Sequence, residues 1–327
     1  MSEQATSHGM KATCADADEC TAALHPSAIN EDKAGENQRG PSIPDLVSGV
    51  MGVIGASKDG PRVVYQDDPR GVAMLQANCL VVLDALAAEY PAGCFDMAFV
   101  DPPYFLSNGG ITCHAGCMVK VDKGSWDKSR GPEMNHEFNT EWLSRCQRVL
   151  KPDGTIWITG THHVIFSVGF ALQQLGFKIL NDIAWEKPNP PPNLSCRYFT
   201  HSTETVIWAA KNDRSRHYFN YRLMKSLNDD RQMKTVWRIC APSKAEKGFG
   251  RHPTQKPLAL VERCLEAATR AGDLVLDPFM GSGTSAVASA RLGRRFLGIE
   301  LEPAFAQTAV KRLRQEASQV RLPEGIG

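Results

Sequence analysis

The sequence predicts an α/β fold with a largely parallel sheet, and three observations carry that prediction. Strand-length apolar runs alternate with helix-length segments from residue 72 onward. Two of those runs stop at an acid followed directly by turn residues, at Asp101-Pro102-Pro103-Tyr104 and at Asp277-Pro278-Phe279-Met280-Gly281-Ser282-Gly283-Thr284. The composition, 42% hydrophobic and 22% charged over 327 residues, suits a globular chain of one large domain or two ordinary ones.

Val72 to Gln76 reads as a short strand, Cys79 to Ala88 as a helix and Met97 to Val100 as the next strand. Ser107 to Glu133 is too rich in Gly, Lys and Asp to be core and reads as a loop. Glu141 to Leu150 is helical in pattern and is stopped by the turn Lys151-Pro152-Asp153-Gly154. Thr155 to Thr159 (strand), Val164 to Leu175 (helix), Lys178 to Trp185 (strand) and Glu204 to Ala210 (strand) follow. Lys211 to Arg251 breaks the rhythm and reads as an insertion. Leu258 to Thr269 is a helix opened by Pro257, where a missing N–H costs nothing. Leu274 to Asp277 (strand), Ser282 to Arg291 (helix), Phe296 to Glu300 (strand) and Pro303 to Ala317 (helix) complete the alternation.

The net charge of +1 hides a polarised chain. Residues 1–60 hold nine acids against four bases and no Phe, Trp or Tyr, which reads as a disordered leader. Residues 187–257 hold fourteen bases against five acids, which reads as a surface for a polyanion. The expected division is therefore a leader (1–60), a half carrying the proline turn (61–210), the basic insertion (211–251) and a half carrying the glycine turn (252–327). No apolar run has membrane-spanning length and no secretory signal is visible, so a cytoplasmic protein is expected. The ten cysteines are scattered, as reduced core thiols are. Cys113-His114-x-x-Cys117 lacks the second ligand pair of a closed zinc site, and no metal is expected.

The chemistry sits at the two strand ends. Gly281 and Gly283 let the chain turn tightly into a helix with a ligand against bare backbone. Some twenty residues on, the next strand ends in Glu300, a position from which an acid binds ribose hydroxyls. Together these predict a nucleoside-cofactor site. Gly281, Gly283 and Ala286 also satisfy the dinucleotide pattern G-x-G-x-x-A, which keeps an oxidoreductase open. Asp277 argues against it, because a carboxylate at that turn repels a pyrophosphate and attracts an ammonium. S-adenosylmethionine, with an amino-acid end, a sulfonium and no phosphate, has the right charge.

Asp101-Pro102-Pro103-Tyr104 then acquires a purpose. Methylating an exocyclic amine of a base needs the nitrogen lone pair, which is delocalised into the ring. Two acceptors on its two N–H bonds, the Asp101 carboxylate and a backbone carbonyl such as that of Pro102, favour a pyramidal nitrogen. The prolines hold both acceptors rigid. Tyr104 offers a face on which an everted base could stack. In the basic stretch, Arg214, Arg216, Arg222, Lys225, Arg231 and Lys234 are interleaved with aromatic residues, and Arg197 and His201 precede them. This mixture suits phosphate contacts and groove readout of double-stranded DNA.

The two motifs resemble those of the amino-methylating DNA methyltransferases, and their order, proline turn before glycine turn, resembles the permuted beta class. Trp126-Asp127, Arg148 to Gly154, Trp185 to Asn189 and His252 to Pro257 extend the resemblance over roughly residues 70–315. It implies a Rossmann-like S-adenosylmethionine-dependent fold, circularly permuted, with a seven-stranded sheet and a target-recognition insertion. Carried over residue by residue, Asp101, Pro102, Pro103 and Tyr104 match the target-base residues. Asp277, Pro278, Phe279, Gly281, Ser282, Gly283, Thr284 and Glu300 match cofactor contacts, and Thr254, Lys256 and Pro257 match the segment near the methionine end. Asp in the first motif position implies N6 of adenine, with N4 of cytosine as the alternative. Beta-class relatives are often dimers, a homodimer and a cognate restriction endonuclease are the further partners considered, and association with the nucleoid is expected. A DNA-binding module without catalysis and an RNA substrate remain further alternatives.

Overall fold

The computed structural model describes residues 40–319, apart from 56–59, 108–110, 115–116, 121–126 and 251–253. For residues 111–114 and 117–120 it describes the backbone alone. The side chains of Cys113, His114 and Cys117 therefore lie outside the described residues, as do Trp126, most of the acidic leader, and His252 and Pro253.

The first element corrects the expected leader. Helix α1 (Ile43–Ile54) starts at Ser42, whose hydroxyl accepts from Asp45 N while the Asp45 carboxylate accepts from Ser42 N, a reciprocal cap. Ile43, Leu46, Val47 and Val50 fall on one face of the helix and are buried. That spacing is enough to fasten the segment to the core.

Next come β1 (Arg62–Asp67), β2 (Val72–Gln76), α2 (Cys79–Glu89) and β3 (Phe95–Val100). The expected loop contains a small hairpin, β4 (Ile111–His114) and β5 (Cys117–Lys120). Helix α3 (Pro132–Val149) begins nine residues earlier than its apolar pattern suggested, because Pro132 opens it from Gly131. Strand β6 (Leu150–Gly160) absorbs Lys151 to Gly154 as an irregularity rather than a free turn, with Leu150 opposite Phe95 and Thr155 opposite Met97. Then follow α4 (Ile165–Gln174), β7 (Lys178–Glu186), β8 (Thr203–Ala210), α5 (Tyr221–Ser226), β9 (Val236–Arg238), α6 (Leu258–Ala268), β10 (Leu274–Asp277), α7 (Thr284–Arg291), β11 (Arg295–Glu300) and α8 (Pro303–Gln319).

The main sheet has the order β1-β2-β11-β10-β3-β6-β8-β7-β9. All seven expected strands are there, and β1 and β9 extend the sheet to nine. From β2 to β6 every neighbour is parallel, while β8 runs antiparallel to both β6 and β7. Alternate residues of the strands face two helical layers. Ile156 and Ile158 join the core of α1 to α4, whereas Trp157 joins the core of α6 to α8 with Trp185, Trp208 and Trp237. The described residues from 40 onward all fall in one compact unit.

The basic stretch is not a separate lobe. Because β8 runs against its neighbours, its end delivers Lys211 to His217 to the sheet edge opposite Asp101. There Ser215 Oγ donates to Pro152 O, and Arg216 N donates to Asp153 Oδ1. The chain then climbs over α6, burying Met224 and Trp237, and adds β9 beside β7. Among the described residues no helix is long and apolar enough to cross a membrane.

Candidate active site

Parallel pairing brings the two chemical strand ends together. Strand β10 lies directly beside β3, with Val275 opposite Met97 and Leu276 opposite Ala98, so Asp277 and Asp101 emerge at the same edge. Strand β11 pairs with β10 on its other side and places Glu300 there too. A cleft of about 470 Å³ opens at this edge. Its lining includes Asp101, Pro102, Pro103 and Tyr104 from the first motif, and Asp277, Pro278, Phe279, Gly281, Ser282, Thr284 and Glu300 from the second. Thr254 and Lys256 also line it, whereas Gly283 and Pro257 do not.

Asp101 is held by three donors. Its Oδ1 accepts from Tyr104 Oη at 2.8 Å and from Thr159 Oγ1 at 2.6 Å, and its Oδ2 accepts from Lys256 Nζ at 2.7 Å. Lys256 is buried, and its ammonium also faces Glu204 at 3.8 Å. Burial alone would lower its pKa, but the charges of Asp101 and Glu204 outweigh it and hold the ammonium above its ordinary range. Glu204 in turn accepts from Lys187 Nζ, and its other oxygen lies 3.4 Å from Tyr104 Oη. Two ammonium groups, two carboxylates and two hydroxyls thus form one network under the cleft.

This network revises two expectations. Lys256 places its ammonium on the Asp101 carboxylate rather than only beside a cofactor. Tyr104 is 4% exposed, with the Lys256 ammonium 5.1 Å from its ring centroid. Its hydroxyl is drawn down into the network while the residue still lines the cleft, so little of its ring is open to solvent. Burial, followed by the charges of Asp101 and Glu204, pushes its phenol well above the ordinary range.

The loop after β3 is shaped by Asp127, a fully buried carboxylate. Its Oδ1 accepts from Tyr104 N and Phe105 N at 2.8 and 2.7 Å, and its Oδ2 accepts from Leu106 N and Ser107 Oγ. Three successive amides aimed at one carboxylate fix the curl that follows the prolines, with Phe105 at a φ of 58°.

The glycine turn is built around the other two acids. Asp277 accepts from Phe279 N at 3.0 Å and from Ser285 Oγ, and burial pushes its carboxyl up to about 7 against those bonds. Glu300 accepts from Gly281 N and Glu302 N, both at 2.8 Å. Gly283 has a φ of 76°, and a Cβ there would lie 2.7 Å from Ala309 Cβ, so α8 can pack only against a glycine. Arg312 from α8 donates to Ser282 O, Ser282 Oγ and Thr284 Oγ1, so both hydroxyls are occupied in bracing the turn.

The donor set fits S-adenosyl-L-methionine. Asp277 and Glu300 suit a cationic ammonium and a ribose diol and would repel a pyrophosphate, while Phe138, Phe279 and Phe305 line the cleft for a base. Gln255, also in the lining, has a buried Oε1 with no hydrogen-bond partner among the described residues, an acceptor awaiting a donor. A sequence profile of DNA methylases (N6_N4_Mtase) matches residues 95–311, a span that contains both strand ends and the strands between them. The chain belongs to the N6/N4 DNA methylase family.

Relatives agree. The chain is 60% identical to Type II methyltransferase M2.DpnII of Streptococcus pneumoniae over 222 residues, which is 68% of this chain and 83% of the relative. It is 57% identical to Type II methyltransferase M2.LlaDCHI of Lactococcus lactis subsp. cremoris over 246 residues, 75% of this chain and 90% of that one. Among solved structures it resembles an M1.HpyAVI–SAM complex, with 28% identity and a TM-score of 0.57, covering 74% of this chain and 98% of the other. This N6/N4 methylase is therefore a DNA methyltransferase that uses S-adenosyl-L-methionine.

Thr159, Lys187, Glu204, Gln255 and Arg312 were given no role from the sequence. Glu204 was the most visible of them, an acid opening an otherwise apolar strand. Among the expected DNA contacts, Arg197 and His201 lie in the connection between β7 and β8, at the cleft edge. Arg214 and Arg216 lie at the edge of the sheet opposite the proline turn. Arg222 and Lys225 ride on α5 outside α6, and Arg231 and Lys234 line a second cleft with Arg238 and Arg263.

Proposed function

We propose that this enzyme methylates the N6 amine of adenine in double-stranded DNA, as a permuted beta-class methyltransferase. The observation that carries the reading is the placement of Asp101 beside the glycine turn on adjacent parallel strands. The late position of β10 in the chain, against its central position in the sheet, supports the permuted class. An aspartate in the first motif position supports adenine over cytosine N4. The Type II relatives support a partnership with a restriction endonuclease.

In this reading Asp101 accepts one N–H of the target amine, and the Pro102 carbonyl accepts the other. With Tyr104, Thr159 and Lys256 already bound, the carboxylate cannot swing, and its remaining acceptor capacity has a fixed direction. The acceptors favour a pyramidal nitrogen whose lone pair is free to attack. S-adenosyl-L-methionine, when bound, supplies an electrophilic methyl group on a sulfonium. Asp277 and Gln255 are placed to receive its amino-acid end, Glu300 its ribose, and Phe279 its base. Pro278, Gly281, Ser282, Thr284 and Thr254 shape the wall, while Gly283 and Pro257 support it from behind. Arg197, His201, Arg222, Lys225, Arg231 and Lys234 remain the proposed DNA contacts, and a homodimer is part of the same reading.

Incubating the protein with duplex DNA and S-adenosyl-L-methionine, then digesting to nucleosides for mass spectrometry, tests it. N6-methyladenine is the expected product. N4-methylcytosine would overturn the base assignment, and no methylated base would overturn the activity.

A further inference from the structure

The connection between β7 and β8 carries an aromatic residue that the core does not use. Phe199 is 95% exposed and makes no ring contact among the described residues. An isolated exposed apolar residue is ordinary, but this one is held out by a built turn. Asn193 Nδ2 donates to Tyr198 O at 2.6 Å, and Asn193 Oδ1 accepts from Ser195 N and Ser195 Oγ at 3.0 and 2.8 Å. Cys196 takes a φ of 52° to complete the bend, a conformation that disfavours side chains other than Asn and Gly. His201 stacks on His162, with ring centroids 4.5 Å apart, and Tyr198 leans on His201 at 5.6 Å.

The base of the connection is joined to the catalytic network. Lys187 N donates to Ser202 O at 2.8 Å, and the Lys187 ammonium pairs with Glu204, which also meets Tyr104. The arm that carries the ring is thus anchored at its base to the network that holds Asp101. Residues 187–202 include Lys187, Arg197 and His201 and no acid, so the arm suits a polyanion better than a second copy of the chain.

We propose that Phe199 enters the duplex and fills the gap in the base stack left by the everted target. The inference rests on the DNA-methylation reading. Everting a base costs the stacking on both of its neighbours, and an aromatic ring that takes its place recovers part of that loss. Arg197, two residues away, is placed to hold the adjoining phosphates while the ring is inserted. Phe199 in this account is a positioning residue, since it touches the neighbours of the reacting base and not the amine itself.

The test compares the wild-type enzyme with Phe199→Ala and Phe199→Trp by three readouts. These are kcat/KM on duplex DNA, 2-aminopurine emission from the target position of a duplex, and anisotropy-based affinity for a single strand. Base–ring stacking predicts that Phe199→Ala loses about tenfold or more in duplex kcat/KM. It also loses most of the emission rise and keeps its single-strand affinity within about twofold, there being no paired stack to fill. Phe199→Trp restores the duplex values. An unchanged emission rise in Phe199→Ala would overturn the inference. So would an equal loss on single strands, and with a fall in sedimentation mass that loss would assign the ring to a self-interface. A wild-type enzyme that methylates no DNA would sink the parent reading instead, and this inference with it.

Discussion

Asp101 and Asp277 end neighbouring parallel strands, yet they are kept in opposite electrical conditions. Asp101 is bound by an ammonium and two hydroxyls, in a network that contains its own countercharge. Asp277 is bound by one amide and one hydroxyl, with no cation at hydrogen-bond distance among the described residues, and burial pushes its carboxyl up to about 7. The first arrangement fixes a charged acceptor in one direction and resists change when a neutral amine arrives. The second leaves a buried carboxylate short of a positive partner, which an incoming ammonium can provide. One sheet edge thus supplies a preorganised site for the base and an electrostatically incomplete site for the cofactor.

The largest expected effect comes from removing the fixed acceptor. Asp101→Ala should lower methyl transfer by about a thousandfold or more, as loss of a preorganised transition-state group does, measured as tritium incorporation into DNA. Residual turnover within tenfold of wild type would break the comparison on the Asp101 side. Gly283→Val should be the most damaging change on the other side, since its Cβ would press on Ala309 at a positive φ. A loss of about 3 kcal/mol in stability is expected, read from urea unfolding, and a neutral result would mean that the turn is not braced by α8.

Glu204→Gln sharpens the account of the network. It leaves Lys256 and Lys187 facing one carboxylate fewer, and since burial opposes the charged ammonium, the Lys256 pKa should fall. The alkaline limb of kcat against pH should move to lower pH, with kcat down about tenfold. An unchanged profile would remove Glu204 from the catalytic machinery. The smallest effect is a pH slope in cofactor binding. A bound ammonium favours the ionised Asp277, so affinity for S-adenosyl-L-methionine should rise as pH increases through about 7. Asp277→Asn should flatten that rise, and a slope equal to wild type would assign it to another group.

The strands, their order along the chain and both acid-bearing ends were legible because each is a local pattern: an apolar run, a terminal acid, then prolines or glycines. Helix α1 was legible too, in Ile43, Leu46, Val47 and Val50, but averaging charge over sixty residues hid a twelve-residue amphipathic segment. Other features depended on contacts that no local pattern records. Lys256 and Asp101 are 155 positions apart and Tyr104 and Glu204 are 100 apart, so only the folded sheet pairs them. The position of Arg214 and Arg216 was hidden for a related reason. Their charge reads locally, but the antiparallel run of β8, which sends them to the far edge, is a property of the whole sheet.

Calorimetric titration of S-adenosyl-L-methionine into Asp101→Ala and Asp277→Ala, side by side at pH 8, tests the division of labour most directly. The account predicts a wild-type dissociation constant for the first variant and binding weakened by at least about tenfold for the second. Weakened binding in Asp101→Ala together with wild-type binding in Asp277→Ala would contradict it.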